Sequence, residues 1–272
     1  MKYLSIMTIF FYLLSTTIYI TYFFVQKDFF QKLGYAFLLA GFIIHTIHIA
    51  TVCAITHTIP VKNLKETLAF TSWSIAGIYT VLKYKLNLKI LGVFASFSAV
   101  SLLIAASILI YTPVVDNKSY TSLWLAFHIF TIFIGEASLA LACATSILYL
   151  AQEKSIKTKK TGFFFKRLPS LNLLDITTYK CIIIGFSLLT LGLVSGSVYA
   201  NFIWGKFWSW DPKEIWSGIT WIVYAVILHQ RFTSRWQGRH TAILSIIGFA
   251  VVIFTFLGVN LFLSGHHDNF TK

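Results

Sequence analysis

Trp204-Gly205-Lys206-Phe207-Trp208-Ser209-Trp210-Asp211-Pro212-Lys213-Glu214-Ile215-Trp216 is the stretch around which the chain is organised. Together with Trp221 it holds five of the eight tryptophans. Its charges make it a poor membrane span, and its second half reads as the start of a helix. Asp211 is placed to cap, Pro212 sits at the first helical position where its missing N–H costs nothing, and Glu214 follows three residues after the cap. The first half is then an aromatic platform where membrane meets water, the zone in which Trp is enriched. Flat indole faces beside an aqueous opening suit a large, planar, amphiphilic ligand. An interfacial anchor is the competing explanation of the tryptophans. An anchor, however, needs only scattered aromatics and has no use for the packed W-G-x-x-W-x-W-D-P-x-E order.

The surroundings of this stretch are apolar. Of 272 residues 57% are hydrophobic and 11% charged, with a mean hydropathy of +0.76; a soluble domain carries about a quarter charged residues. Eight apolar runs, roughly 4–25, 34–57, 67–83, 88–111, 123–150, 178–200, 214–230 and 241–264, are each near the ~20 residues that a bilayer requires. The expected fold is therefore all-α: a polytopic integral membrane bundle of about eight transmembrane helices. Runs three and seven are the weakest, because one carries Thr71, Ser72 and Ser74 and the other is short and tryptophan-rich. The first run ends in Gln26-Lys27-Asp28 without a small-residue cleavage pattern and reads as a retained span. Spans one to four make an N-terminal unit, 1–122. Spans five to eight, with the tryptophan segment 201–216, make a second, 123–272.

The net charge of +13 does not point to nucleic acid, because the basic residues cluster in short connections between spans. Connections after spans one, three, five and seven hold fourteen Lys and Arg, against seven on the opposite side. This bias places the richer side in the cytoplasm or its organellar equivalent, with both termini and the tryptophan segment outward. Gln152 to Thr178 is the one long polar connection. Cys53, Cys143 and Cys181 are far apart, so neither a C-x-x-C redox site nor a zinc site is supported.

Histidines supply the second pattern. His128 lies near the outer end of span five, and His267 just past the outer end of span eight in Ser264-Gly265-His266-His267. The expected topology brings both to the tryptophan side. A neutral imidazole is a good axial ligand for haem iron, and two on opposite faces clamp the ring. Taken singly each is an ordinary polar residue; beside five tryptophans they become a ligand pair. His266 competes with His267, and spacing does not separate them. His229, in Leu228-His229-Gln230-Arg231 at the inner end of span seven, is either a second haem contact or a boundary residue. His45 and His48, three apart on one helical face of span two, are read as structural. So is Glu136, two turns from His128, whose carboxyl group must be neutral or paired inside a membrane.

Several segments then fall into a known order. His128-Ile129-Phe130 leads to Gly135-Glu136-Ala137, and Arg167-Leu168-Pro169-Ser170-Leu171 precedes span six. Phe186 to Gly192 and Gly196 precede the platform; Trp221 to Arg231 and Trp236-Gln237-Gly238-Arg239 follow it. Phe254-Thr255-Phe256-Leu257-Gly258-Val259-Asn260 leads into Ser264-Gly265-His266-His267. In this order and spacing the chain resembles the CcsA/ResC-type cytochrome c biogenesis proteins, the haem-handling subunit of the System II pathway. The match runs from about Trp124 to the C-terminus; before that the agreement is mainly in span pattern. The resemblance implies that the "WWD" segment, through Trp204, Gly205, Trp208, Trp210, Asp211 and Glu214, holds haem at the outer surface. It further implies His128 and His267 as axial ligands and His229 as a contact on the transmembrane haem route. The cargo is haem b, presented for thioether attachment to the CxxCH motif of apocytochrome c together with a CcsB/ResB-type membrane partner. The chain is then part of a synthetase complex and supplies no nucleophile. Its tail, Gly265-His266-His267-Asp268-Asn269, departs from the usual Gly-Leu-His-Ser-Tyr pattern. The Glu136 and Arg167 contexts favour a bacterial cytoplasmic membrane, with the thylakoid as the alternative. The rival from another class is a transporter or channel using Glu136 and His229, which would have no need of the platform.

Overall fold

The computed structural model describes residues 2–86, 89–110, 122–159, 162, 165–234 and 236–259. Within them eight helices follow one another: α1 (Lys2–Val25), α2 (Asp28–Thr56), α3 (Leu64–Leu86), α4 (Leu91–Ile108), α5 (Leu123–Lys157), α6 (Leu171–Trp204), α7 (Pro212–Thr233) and α8 (Arg239–Ile253). α8 continues through a π-helical turn, Phe254–Gly258. No β-strand occurs among the described residues. The fold is the expected all-α membrane bundle. Six of the helices are long and apolar enough to cross a bilayer. α3 and α7 fall below that standard, and they are the two runs expected to be weakest.

Among the helices that outrun their apolar segments, α5 and α6 extend furthest. α5 continues to Lys157 through the charged Glu153-Lys154 turn, where Lys157 Nζ meets Glu153 Oε1 at 2.7 Å and basic residues face the helix C-terminus. α6 starts at Leu171, because Ser170 caps it by accepting from the Leu173 N–H. The polar connection expected from Gln152 to Thr178 is therefore helical at both of its ends, up to Lys157 and from Leu171. Hydropathy follows apolar composition and cannot see a polar helical extension.

α5 is the central helix. Every residue from Ala137 to Ser146 is buried, in a run of Ala, Ser, Leu, Cys and Thr that is compact all round. Inside a bilayer lipid tails are as apolar as leucine, so helices associate through close packing and interhelical hydrogen bonds rather than exclusion from water. Both occur between α5 and α6. A Cβ on Gly185 would lie 2.5 Å from a Leu139 methyl, so the absence of a side chain is what lets the helices meet. Ser138 Oγ donates to the Cys181 carbonyl at 2.9 Å, and the Thr145 and Thr178 hydroxyls pair at 2.8 Å. One buried cluster runs from Tyr12 on α1 to Val252 on α8. A second joins Ile49, Val61 and Phe70 to Leu125, Ile129 and Tyr199.

Two arginines tie the chain ends of helices together. Arg167 donates to the carbonyls of Phe23 at 3.0 Å and Phe24 at 2.9 Å, occupying acceptors left open at the end of α1. Arg231 on α7 holds Asp175 on α6 through two bonds of 2.8 and 2.7 Å. The same carboxylate takes the Gly238 N–H at 2.9 Å, so α6, α7 and the turn into α8 share one anion.

Candidate functional site

The tryptophan segment is built from a helix end, a turn and a helix start. α6 ends at Trp204 because Gly205 adopts φ +69°, and its N–H closes on the Asn201 carbonyl at 2.9 Å. Trp210 also has positive φ, +61°, a strained conformation for a bulky residue. Asp211 is buried and caps α7, Pro212 occupies the first turn, and Asp211 and Glu214 form a reciprocal capping box. Glu214 does more than cap. Its carboxylate accepts from the Ser209 N–H at 2.7 Å and the Ser209 hydroxyl at 3.0 Å, drawing the loop down onto the helix start. The cluster holds Trp210 in its strained position, because its two flanking residues are both fixed.

The five tryptophans divide into two groups. Trp210 is 75% exposed and Trp208 37%. Their rings meet edge to face at 87° with centroids 6.1 Å apart, so they form a corner rather than a flat sheet. Trp208 also lies over Gly218, whose Cβ position is 3.6 Å from the ring. Trp216 instead packs on Phe254 with centroids 4.4 Å apart. Trp221 donates to the Thr190 hydroxyl at 2.9 Å and tilts against Phe186. These last two fasten α7 to its neighbours, while Trp204, Trp208 and Trp210 surround the loop.

His128 is seated on α6. Its Nδ1 lies 2.7 Å from the Gly192 carbonyl oxygen. Because a carbonyl only accepts, Nδ1 carries the proton and the ring lone pair is on Nε2, the tautomer suited to metal ligation. The ring rests against Gly196, where a Cβ would be 2.7 Å from Cε1 and Nδ1. Gly196 precedes Trp204 by eight residues on the same helix, or about 12 Å. One rigid element therefore carries both the histidine's seat and the root of the tryptophan loop. Gly192 and Gly196 were noted in the sequence only as landmarks before the platform. Their spacing of four, the small-residue pattern of close helix pairs, was the available sign of a contact.

The other candidates lie elsewhere. His229 is exposed on the last turns of α7, two residues before the Arg231–Asp175 pair. Glu136 is half-buried on α5, with Lys213 of α7 in electrostatic range. His45 is buried, with Nδ1 3.4 Å from the Tyr12 hydroxyl. His266 and His267 lie outside the described residues. Among the described residues no three His, Cys, Asp or Glu side chains gather as a metal site. Sequence reasoning missed Asp175 as an ionic partner and Ser209 as the second ligand of Glu214; neither pairing has a local spacing that announces it.

Residues 61–267 match the family model described as cytochrome C assembly protein, a range that includes His128 and the whole tryptophan segment. The chain is 35% identical over 257 residues to the cytochrome c biogenesis protein CcsA of Guillardia theta, spanning 87% of this chain and 85% of that protein. It is 38% identical over 225 residues to CcsA of Chlamydomonas reinhardtii, spanning 77% of this chain and 60% of that one. CcsA of Prochlorococcus marinus (strain MIT 9312) is 36% identical over 239 residues, 77% of this chain and 75% of that protein. Among solved structures, Cytochrome c Heme Lyase CcmF superposes with a TM-score of 0.63 at 16% identity, a likeness of fold over 93% of this chain and 46% of that one. With a family match across most of its length and CcsA relatives above 30% identity, this chain belongs to the cytochrome c assembly protein family, as a CcsA-type integral membrane protein.

Proposed function

We propose that this cytochrome c assembly protein holds haem b at the outer face of its membrane and presents it for attachment to the CxxCH segment of apocytochrome c. Trp204, Gly205, Trp208, Trp210, Asp211 and Glu214 form the platform, and His128 and His267 are the axial ligands. His229, exposed on α7, is a contact on the haem route. The membrane is a bacterial cytoplasmic or thylakoid one, and a CcsB/ResB-type subunit completes the complex. The haem-handling part lies within residues 123–272.

The carrying observation is the seat of His128. A ring with its Nδ1–H committed to the Gly192 carbonyl at 2.7 Å has its lone pair on the opposite nitrogen, and α6 fixes that ring relative to the tryptophan loop. The chemistry asks for little else. Each thioether forms when a cysteine thiol adds across a haem vinyl group: sulfur bonds one carbon and the thiol proton ends on the other. No protein nucleophile is consumed, so the task is positioning, which is worth about 7–11 kcal/mol of barrier when geometry is held. Two histidines also protect the iron until the substrate's own histidine displaces one.

The test is the visible spectrum of the detergent-purified protein co-expressed with its partner. Bis-histidine Soret and α bands that change in His128→Ala support the proposal. Protein that stays colourless when haem is supplied overturns it and favours a transporter or channel.

A further inference from the structure

α8 runs into a π turn, Phe254–Gly258, closed by the Val259 N–H on the Phe254 carbonyl. Such single turns are rare and are frequent at functional sites. Here consecutive side chains go to two different neighbours. Phe254 packs on Trp216 with ring centroids 4.4 Å apart, and its ring lies over Gly258, where a Cβ would be 2.6 Å away. The Thr255 hydroxyl meets the Thr220 hydroxyl at 3.0 Å and lies 3.3 Å from the Trp216 carbonyl oxygen. Both residues therefore fasten to the first half of α7, the helix into which the tryptophan loop leads. Phe256 turns instead to α5, edge to face with Phe133 at 6.1 Å and 89°.

Phe133 belongs to the helix that carries His128 and stands on its other side. At about 100° per residue, Phe130 and Phe133 are turned away from α6, where the His128 ring is seated. They meet α3. Phe70, only 1% exposed, has its ring centroid 5.5 Å from that of Phe130 and 5.0 Å from that of Phe133. Trp73 lies 5.9 Å from Phe130 and is itself fixed, stacking on Phe42 and donating to the Thr46 hydroxyl at 2.8 Å. At the level of His128, α5 is thus gripped between α6 on one side and an aromatic wedge from α3 on the other. The wedge reaches the π turn through Phe133 and Phe256. The π turn in turn reaches the tryptophan segment through Phe254 and Thr255. We propose that the π turn of α8 sets the position of His128 relative to the tryptophan loop, with Phe254 and Phe256 as positioning residues and Phe70 backing them from α3. The proposal rests on the reading of His128 and that loop as one haem site. Close-packed rings transmit displacement, so a shift at one moves its neighbours. A misplacement of ~1 Å far from the chemistry can cost about 100-fold in rate, and this junction prevents it.

Spin labels at Leu123→Cys and Phe207→Cys in the full-length Cys53→Ser protein test it. Both positions are exposed, one at the start of α5 and one in the tryptophan loop, while Cys143 and Cys181 are buried. Double electron–electron resonance reads the distance between the labels in detergent without added haem. Phe256→Leu loosens the contact with Phe133, and Gly258→Ala displaces Phe254. In each the distance should shift by ~1 Å, the scale at which misplacement matters, or its distribution should widen. Leu38→Ala, a cavity elsewhere in the core, is the control for a merely destabilised bundle and should leave the distance unchanged. Haem titration of the same variants should show weaker uptake at the Soret band wherever the distance has moved. A distance unmoved in both variants, moved equally in Leu38→Ala, or moved with no loss of haem affinity overturns the proposal. Parent protein that binds no haem sinks the haem reading alone, and the label distance still decides whether the π turn sets the two elements.

Discussion

Replacing Gly196 with alanine adds one methyl group where the His128 ring rests on α6. That carbon would stand 2.7 Å from Cε1 and Nδ1, whereas ordinary contact begins at 3.4 Å, so the ring must retreat by about 0.7 Å. The Nδ1–H bond to Gly192, now 2.7 Å, stretches toward about 3.4 Å and passes the ~3.2 Å limit of an N–H···O bond. Its loss alone costs about 0.5–1.5 kcal/mol of stability. The larger effect is on ligation, because removing the partner that orients a metal-binding histidine lowers metal affinity roughly 10–100-fold. Haem titration into the purified complex, followed at the Soret band, should show that loss in Gly196→Ala with a modest fall in thermal midpoint. Gly218→Ala is the control: its new Cβ sits 3.6 Å from Trp208, an ordinary contact, and both readouts should stay near those of the parent protein. Equal haem affinity in Gly196→Ala and the parent would refute the idea that α6 positions His128 as a ligand.

Three further outcomes follow from the geometry. The Arg231 and Asp175 side chains are only 9% and 12% exposed, so Asp175→Asn should destabilise the protein by about 3–5 kcal/mol. Asp175→Asn with Arg231→Met should cost less than the two single changes together, as measured by thermal midpoints in detergent. Trp210→Leu should leave the midpoint unchanged but reduce haem occupancy, since the ring is 75% exposed. Trp221→Phe, which loses a 2.9 Å bond to Thr190, should do the reverse at a cost of about 1 kcal/mol. Glu214→Gln weakens the bonds to Ser209 and Asp211, at 2.7, 3.0 and 3.4 Å. Removing that charge from a helix N-terminus costs a further ~0.3–1 kcal/mol. Amide exchange at Ser209 and Asp211 should accelerate; unchanged exchange would mean that Glu214 does not hold the loop.

The latches explain how a platform of this kind stays ordered without a large polar core. Arg167 ends α1 from the loop before α6, and Asp175 gathers Arg231 and the Gly238 N–H beside the start of α8. Both sit at helix ends, where carbonyls and N–H groups lack intrahelical partners and charged side chains gain most. α6 lies between the two latches and the tryptophan loop, so its position is fixed at one end before it delivers Trp204 at the other.

Much of the molecule was legible in the chain itself. Apolar runs separated by basic connections specify a membrane bundle, since every backbone polar group inside lipid must be satisfied by its own helix. Asp211, Pro212 and Glu214 announce the start of α7, because capping is a matter of residues three apart. The W-G-x-x-W-x-W-D-P-x-E order and its flanking segments pointed to the family that the comparisons then established. Tertiary structure decided the rest. Only the packing of α5 on α6 seats His128 on Gly196 and assigns its proton. Only the approach of α7 to α6 and α8 makes Trp216 and Trp221 fasteners while Trp208 and Trp210 stay open. Asp175 meets Arg231 across 56 positions, and the Tyr224 hydroxyl end comes to rest against Gly248 of another helix. Local spacing encodes what happens within one helix turn; contacts between helices depend on which faces meet, and no single stretch of sequence carries that.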